Sequence, residues 1–405
     1  MITQLFRSGV RPIYSGLLVI IAMLGLLAAG LAAPANPTEG PQTKAPHAIL
    51  IDAGTGSVLF EANADQPTPP SSLAKLMTAE IVFREIKEGR LTKDTEFPIS
   101  EYAWRRGGGP SRTSSMFARL HSQVRVEDLL HGLIVQSGND AAIALAEGIA
   151  GNELAFATLM NKRAQELGLT NSTFGNSTGL PDPGNNVSVR DLAKLSRHII
   201  DTYPEFFPIY GEPEFTWNKI RQRNRNPLLK MSLGADGMKT GYTREGGFGL
   251  VGTAEQNGLR LIVVVNGLKT AKDRADEARK LLLWGFSGFE QRPLFSKSEV
   301  IGYARVFGGD QLSVPLTGAG PISILLPRNS RDRISAKITY TGPVRAPVED
   351  GQKIGLLKVY RGDNLALEVP LQAAENVGRG NIPRRAFDAV SELIIGVVRA
   401  GIAKI

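Results

Sequence analysis

The chain reads as a mixed α/β domain over residues 48–289, followed by a small all-β domain over 292–378 and a C-terminal amphipathic helix over 383–405. Three observations predict this. β-prone runs stand at both ends of the first region with helical periodicity between them, short strand-like segments punctuated by Gly, Pro and Asp follow Pro293, and the last segment carries its apolar residues on one face. At 405 residues and 42% hydrophobic content, the chain can fill two folded cores.

The N-terminus comes first. Arg7 and Arg11 precede an uncharged apolar run from Gly16 to Ala33 that ends in small residues. Ala33 and Ala35 form an A-x-A site, so residues 1–35 read as a cleaved secretory signal rather than a retained anchor. Residues 36–47, rich in Pro and Thr, read as a linker. The chain has no cysteine, which excludes thiol catalysis, thiolate metal sites and disulfides. A net charge of +8 suits an anionic partner such as wall polymer or a phospholipid surface, or an evenly solvated basic surface; export argues against nucleic acid.

Ala48 to Ile51 and Ser57 to Phe60 predict an antiparallel hairpin. Ser71 to Glu88 predicts a helix starting sharply after Pro69-Pro70, and Val126 to Ala150, Glu153 to Leu167 and Val189 to Thr202 predict three more, the last capped by Ser188. Phe248 to Ala254 and Leu259 to Gly267 form a second hairpin around Asn257-Gly258, and Arg274 to Phe289 returns to helix. Six further strands are expected between Val300 and Pro370 as a small sandwich or barrel. In the last segment Phe387, Val390, Ile394, Val397, Val398, Gly401 and Ile405 oppose Arg384, Arg385, Asp388, Glu392 and Arg399, the pattern of a helix lying on a membrane surface.

The chemistry rests on three short segments. Ser72 and Lys75 are three residues apart, so a helix stacks hydroxyl and amine on one face. A serine hydroxyl needs a base, and lysine serves only when burial or neighbouring positive charge lowers its pKa from about 10.4. One such Ser-x-x-Lys match is expected about once or twice by chance in a chain of this length. Ser137-Gly138-Asn139 and then Lys239-Thr240-Gly241 follow in order, and the combination is far more specific. Ser137 can relay a proton, Asn139 can bind a substrate amide, and Lys239 supplies positive charge. Thr240 can donate to a substrate carboxylate, and Gly241 leaves room for an extended peptide along the strand. The backbone N–H groups of Ser72 and Tyr242 are the expected oxyanion hole. His47, His121, His131 and His198 stand in no nucleophile-elbow context, and no clustered spacing suggests a metal; no cofactor is expected.

Pro70 to Thr78, Gln136 to Ala141 and Asp236 to Thr243 resemble the three active-site motifs of the low-molecular-weight penicillin-binding proteins. More narrowly, the chain resembles the serine-type D-alanyl-D-alanine carboxypeptidases over nearly its whole length, including Leu281 to Phe286. The resemblance implies a penicillin-binding, β-lactamase-like catalytic domain. It implies removal of the terminal D-alanine from peptidoglycan stem peptides through an acyl-enzyme on Ser72, acylation of Ser72 by β-lactams, and a periplasmic location on the outer face of the inner membrane. It also implies that Lys239, Thr240 and Arg274 hold the terminal carboxylate. Tyr242-Thr243-Arg244 departs from the His-Thr-Asp that family members often carry, making the site more basic and more apolar. A β-lactamase of the same superfamily would need a glutamate in the loop after the second motif, and Asn171 to Leu180 has no acidic residue. The third reading is a non-catalytic murein-binding protein.

Overall fold

The computed structural model describes residues 40–386 apart from 329, 331, 363 and 384. The expected export signal and nearly all of the expected C-terminal helix fall outside the described residues. At the start of the described chain, Thr43 Oγ1 and Lys44 N both donate to Glu277 Oε2, so the end of the expected linker is docked rather than loose.

In chain order the first domain contains β1 (His47–Asp52), β2 (Val58–Ala62), α1 (Lys75–Lys87), β3 (Glu96–Pro98), α2 (Glu101–Gly107), β4 (Gln123–Arg125), α3 (Val126–His131), α4 (Asn139–Ala150), α5 (Glu153–Glu166), α6 (Val189–Thr202), β5 (Glu214–Trp217), β6 (Ile220–Arg223), β7 (Ala235–Thr243), β8 (Gly247–Gln256), β9 (Leu259–Leu268) and α7 (Ala271–Gly288). Five of the strands form one antiparallel sheet in the order β2-β1-β9-β8-β7, so the ends of the domain share a sheet as expected.

Strand alternation builds the layers. Ile49 and Ile51 of β1 and Ile262 and Val264 of β9 face the core made with α1 to α6. Ala48, Leu50, Leu261 and Val263 face the opposite way, onto Ala278, Leu281 and Leu282 of α7. The β8–β9 turn places Asn257 at φ 52° and Gly258 at φ 79°, the positive angles that a two-residue hairpin turn requires. Side-chain caps start the helices where the sequence offers them: Ser188 Oγ accepts from Asp191 N, and Thr270 Oγ1 accepts from Asp273 N.

Two expectations change. The helix expected over Val126 to Ala150 is interrupted: a π-type turn covers Gly132–Gln136, Ser137 takes a left-handed φ of 66°, and α4 restarts at Asn139. Apolar periodicity runs through the break because both halves are buried, so it gives no sign of the interruption. Lys239-Thr240-Gly241 lies inside β7, a strand absent from those expected above. Residues 237–241 are all buried, because turns cover this edge strand on its outer side, and the alternation that reveals a strand is lost.

The second domain contains β10 (Phe289–Phe295), β11 (Gly302–Phe307), β12 (Ser313–Gly318), β13 (Ile322–Pro327), β14 (Ile334–Tyr340), β15 (Val344–Arg345), β16 (Lys353–Arg361) and β17 (Asn364–Ala373). Six strands run in the order β14-β16-β17-β12-β11-β15, and β10 pairs with β13 beside them. β13 joins the two domains by its own alternation. Ile322, Ile324 and Leu326 enter the core of the β domain, while Leu325 enters the cluster with Phe289 and α7.

Candidate active site

Pro69-Pro70 leads into a 3-10 turn, Ser71–Ala74, which passes directly into α1. The tighter turn has three residues per revolution, so residues i and i+3 eclipse. Ser72 and Lys75 therefore lie one above the other. Asn266 Nδ2 donates to Thr68 Oγ1 and Pro69 O, tying the approach of this turn to β9.

Lys75 is 1% exposed, and its Nζ donates to Ser72 Oγ at 3.0 Å, to Asn139 Oδ1 at 2.6 Å and to Thr178 O at 2.6 Å. Burial, and after it the charge of Arg225, draws this amine from its ordinary 10.5 to about 7. An uncharged amine keeps two protons and one lone pair. In that form Asn139 and Thr178 take the two protons and the Ser72 contact reverses, the hydroxyl donating to the amine lone pair.

The second segment is brought alongside by the helix interruption. Ser137 is buried, and its Oγ has no hydrogen-bond partner among the described residues. Asn139 is oriented from both ends: Oδ1 takes Lys75, and Nδ2 donates to Thr113 Oγ1 at 2.9 Å. These two bonds fix the amide plane beside Lys75 and leave the second Nδ2 proton for a substrate carbonyl, the role expected of it. Asp140, which the sequence reading left without a role, is the anchor beneath. Its buried carboxylate accepts from Ser115 Oγ and from the backbone N–H groups of Met116, Ala118 and Ala141, fastening the 114–118 segment to the start of α4.

In the third segment Lys239 is buried, and its Nζ donates to Thr240 O at 3.2 Å. Burial pulls its pKa well down, and Lys75, Arg225 and Arg274 add to the effect. Thr240 is 6% exposed and Tyr242 56% exposed, its ring stacked on Phe248 at 4.1 Å. The guanidinium of Arg274 lies over the same Phe248 ring at 5.6 Å, and its buried Nε has no partner among the described residues. Gly241 has a different reason from the one expected. A Cβ there would lie 3.1 Å from Pro70 O and from Ser71 Cβ, so its bare side faces the serine-bearing turn rather than a substrate channel.

Sequence reasoning missed Arg225, Thr113, Thr178 and Glu153. Arg225 Nη1 donates to Ser114 Oγ at 2.8 Å, and its charge bears on Lys75, Lys239 and Arg274. Nothing in the Arg221 to Asn226 run marks it apart from its neighbours. Thr178 acts through its carbonyl, which has no signature in side-chain spacing. Glu153 Oε1 accepts from Ser177 N and Oγ, holding the loop that delivers that carbonyl. Where a β-lactamase would place a carboxylate, this loop presents the Thr178 carbonyl. Among the described residues, no carboxylate hydrogen-bonds Lys75, Lys239, Arg225 or Arg274, so the site is a cationic hollow suited to an anionic ligand.

Residues 34–270 match the family described as D-alanyl-D-alanine carboxypeptidase, and residues 289–379 match the C-terminal domain of penicillin-binding protein 5. The D-alanyl-D-alanine carboxypeptidase DacC of Escherichia coli is 40% identical over 93% of this chain and 94% of its own length. DacA of Haemophilus influenzae is 40% identical over 86% of this chain and 89% of its own. Among solved structures, penicillin-binding protein 5 from Haemophilus influenzae superposes with a TM-score of 0.75 at 39% identity, covering 84% of this chain and 99% of that one.

Proposed function

The chain belongs to the D-alanyl-D-alanine carboxypeptidase family and is a serine-type peptidase of the penicillin-binding class, and on that premise we propose that Ser72 is its nucleophile and Lys75 the base. The observation that carries the assignment is the buried, pKa-lowered Lys75 amine 3.0 Å from the Ser72 hydroxyl. Lys75 takes the Ser72 proton as Oγ attacks the carbonyl of the penultimate D-alanine. The N–H groups of Ser72 and Tyr242 receive the developing oxyanion. The proton passes from Lys75 through Ser137, whose unpartnered hydroxyl is free to relay it, to the amine of the departing D-alanine. Lys75 then deprotonates the water that cleaves the acyl-enzyme. Lys239, Thr240 and Arg274 hold the terminal carboxylate, with Arg225 adding to the field.

The substrate class is peptidoglycan stem peptide ending in D-Ala-D-Ala, and β-lactams acylate the same serine. The 171–180 loop gives Lys75 a carbonyl and offers no carboxylate to activate water, so the penicilloyl-enzyme is released slowly. The N-terminal apolar run supports export to the periplasm, and the amphipathic pattern of 383–405 supports attachment to the outer face of the inner membrane, with the β domain as spacer.

Assay of free D-alanine after incubation with a pentapeptide ending in D-Ala-D-Ala tests the reading. Wild type releases it and Ser72→Ala does not. A folded wild type that binds murein yet releases none would leave a binding role, and loss of a penicilloyl adduct within seconds would favour the β-lactamase.

A further inference from the structure

A second hollow adjoins the site at Thr113, the partner of Asn139. The end of α2 supplies Arg105 and Arg106, and together with Ser111, Thr113, Leu180 and Pro181 they line a cleft of about 350 Å³. Arg105 is held by Glu101, Nε to Oε1 at 2.7 Å. Arg106 is exposed and makes no hydrogen bond or ion pair among the described residues. Two carboxylates act on Tyr102 together with Arg106: Glu153, which is engaged with Tyr102 OH, Ser177 N and Ser177 Oγ, and Glu147. Ser111 Oγ donates to Gly108 O and lies 2.7 Å from Thr113 Oγ1. Thr113 Oγ1 accepts from Asn139, and because the Ser111 proton goes to Gly108 O, Thr113 donates its own proton to Ser111 Oγ, which leaves the arginines as the side-chain donors of the cleft. Facing these polar groups, Leu180 and Pro181 form an apolar wall.

The cleft is connected to the reacting centre. From Ser72 Oγ to Lys75 to Asn139 to Thr113 the links are 3.0, 2.6 and 2.9 Å. At about 3.4 Å per residue, an extended peptide reaches from one to the other within two to three residues. The carboxylate end of the substrate is already assigned to Lys239, Thr240 and Arg274, so this hollow serves the acyl side.

We propose that the cleft between α2 and Leu180-Pro181 is a subsite for an acidic residue upstream of D-Ala-D-Ala, with Arg106 binding a side-chain carboxylate carried on an aliphatic stem. The stem lies on Leu180 and Pro181. The inference rests on the carboxypeptidase reading and adds a preference to it.

The test uses two peptides, N-acetyl-Xaa-D-Ala-D-Ala, in which Xaa is L-2-aminoadipate or its side-chain amide. Release of D-alanine gives kcat/KM for each with wild type, Arg106→Gln and Arg106→Lys. Wild type prefers the acid by about fivefold, chiefly through KM, as a solvent-exposed charge-assisted contact allows. The ratio falls towards one in Arg106→Gln, is largely kept in Arg106→Lys, and shrinks as salt is raised. Equal turnover of the two peptides by wild type, or a ratio unchanged in Arg106→Gln, overturns the subsite while leaving the carboxypeptidase intact. Release from neither peptide by a chain that penicillin still acylates overturns the carboxypeptidase reading, and the subsite with it.

Discussion

Lys75 is the residue on which the chemistry turns, because an ordinary lysine is charged below about pH 10 and cannot accept a proton. Here burial and Arg225 bring it to about 7. The charged form is the inactive one, so acylation by penicillin rises as pH increases through about 7 and levels off above. Stopped-flow acylation between pH 5.5 and 9 should show that inflection, and a flat profile would contradict it. Glu153 pulls the other way, favouring the charged amine. Glu153→Gln retains an acceptor for Ser177, and the inflection is expected at lower pH than in wild type. Asp140 carries a structural load instead: Asn in its place cannot accept all four of its donors, and urea unfolding should register a loss of about 2–4 kcal/mol. At this scale the sequence was most legible where a side chain itself does the chemistry. Ser72, Lys75 and Asn139 could be named from type and order, and the structure links them by hydrogen bonds. Thr178, acting through a carbonyl, and Thr113 and Arg225, acting at second contact, left no pattern to find.

The elements matter for how closely they approach one another. The 171–180 loop crosses the serine-bearing turn so tightly that a Cβ on Gly179 would sit 1.7 Å from Ser71 O, and Gly179 also has a φ of +75°. Gly179→Ala must therefore displace either the loop or the turn. The left-handed angle alone costs about 1 kcal/mol for a non-glycine residue. The expected outcome is a melting temperature lower by several degrees and penicillin acylation slowed by about tenfold or more, since Thr178 O leaves Lys75. Unchanged acylation would show that the carbonyl contact is dispensable. Secondary structure was legible where one face meets solvent, as in α6, or where turn residues mark a hairpin, as at Asn257-Gly258. It was obscured where burial is continuous. The break at Ser137 is closed locally by Gly138 N to Gly132 O and held by a tertiary contact, Asn139 N to Ser114 O, which no local periodicity encodes.

For the molecule as a whole, the helix bearing Lys75 is secured at its far side by a buried charge. Glu80 is fully buried, and Oε1 is met by Arg163 Nε and Nη2, His198 Nε2 and Tyr203 OH. Burial raises the carboxyl pKa, but His198 and Arg163 outweigh it and hold the group below its usual value. A lowered carboxyl pKa in the fold stabilises the native state above the unfolded value near 4.5, and that contribution fades as pH falls through the folded value. Arg163→Met strips the strongest partner and should cost about 3–5 kcal/mol at pH 7, read from denaturant unfolding. The loss should be smaller at pH 4, where the carboxyl can take up a proton. The order of domains could be read from the change in strand spacing after Pro293. The joint between them could not, because it depends on β13 sending alternate residues into two cores.

Peptide mapping by mass spectrometry after brief exposure to penicillin bears most directly on the central claim. The account predicts one penicilloyl group, on the peptide containing Ser72, absent in Ser72→Ala and formed far more slowly in Lys75→Ala. An adduct on another residue, or one that persists in Ser72→Ala, would contradict it.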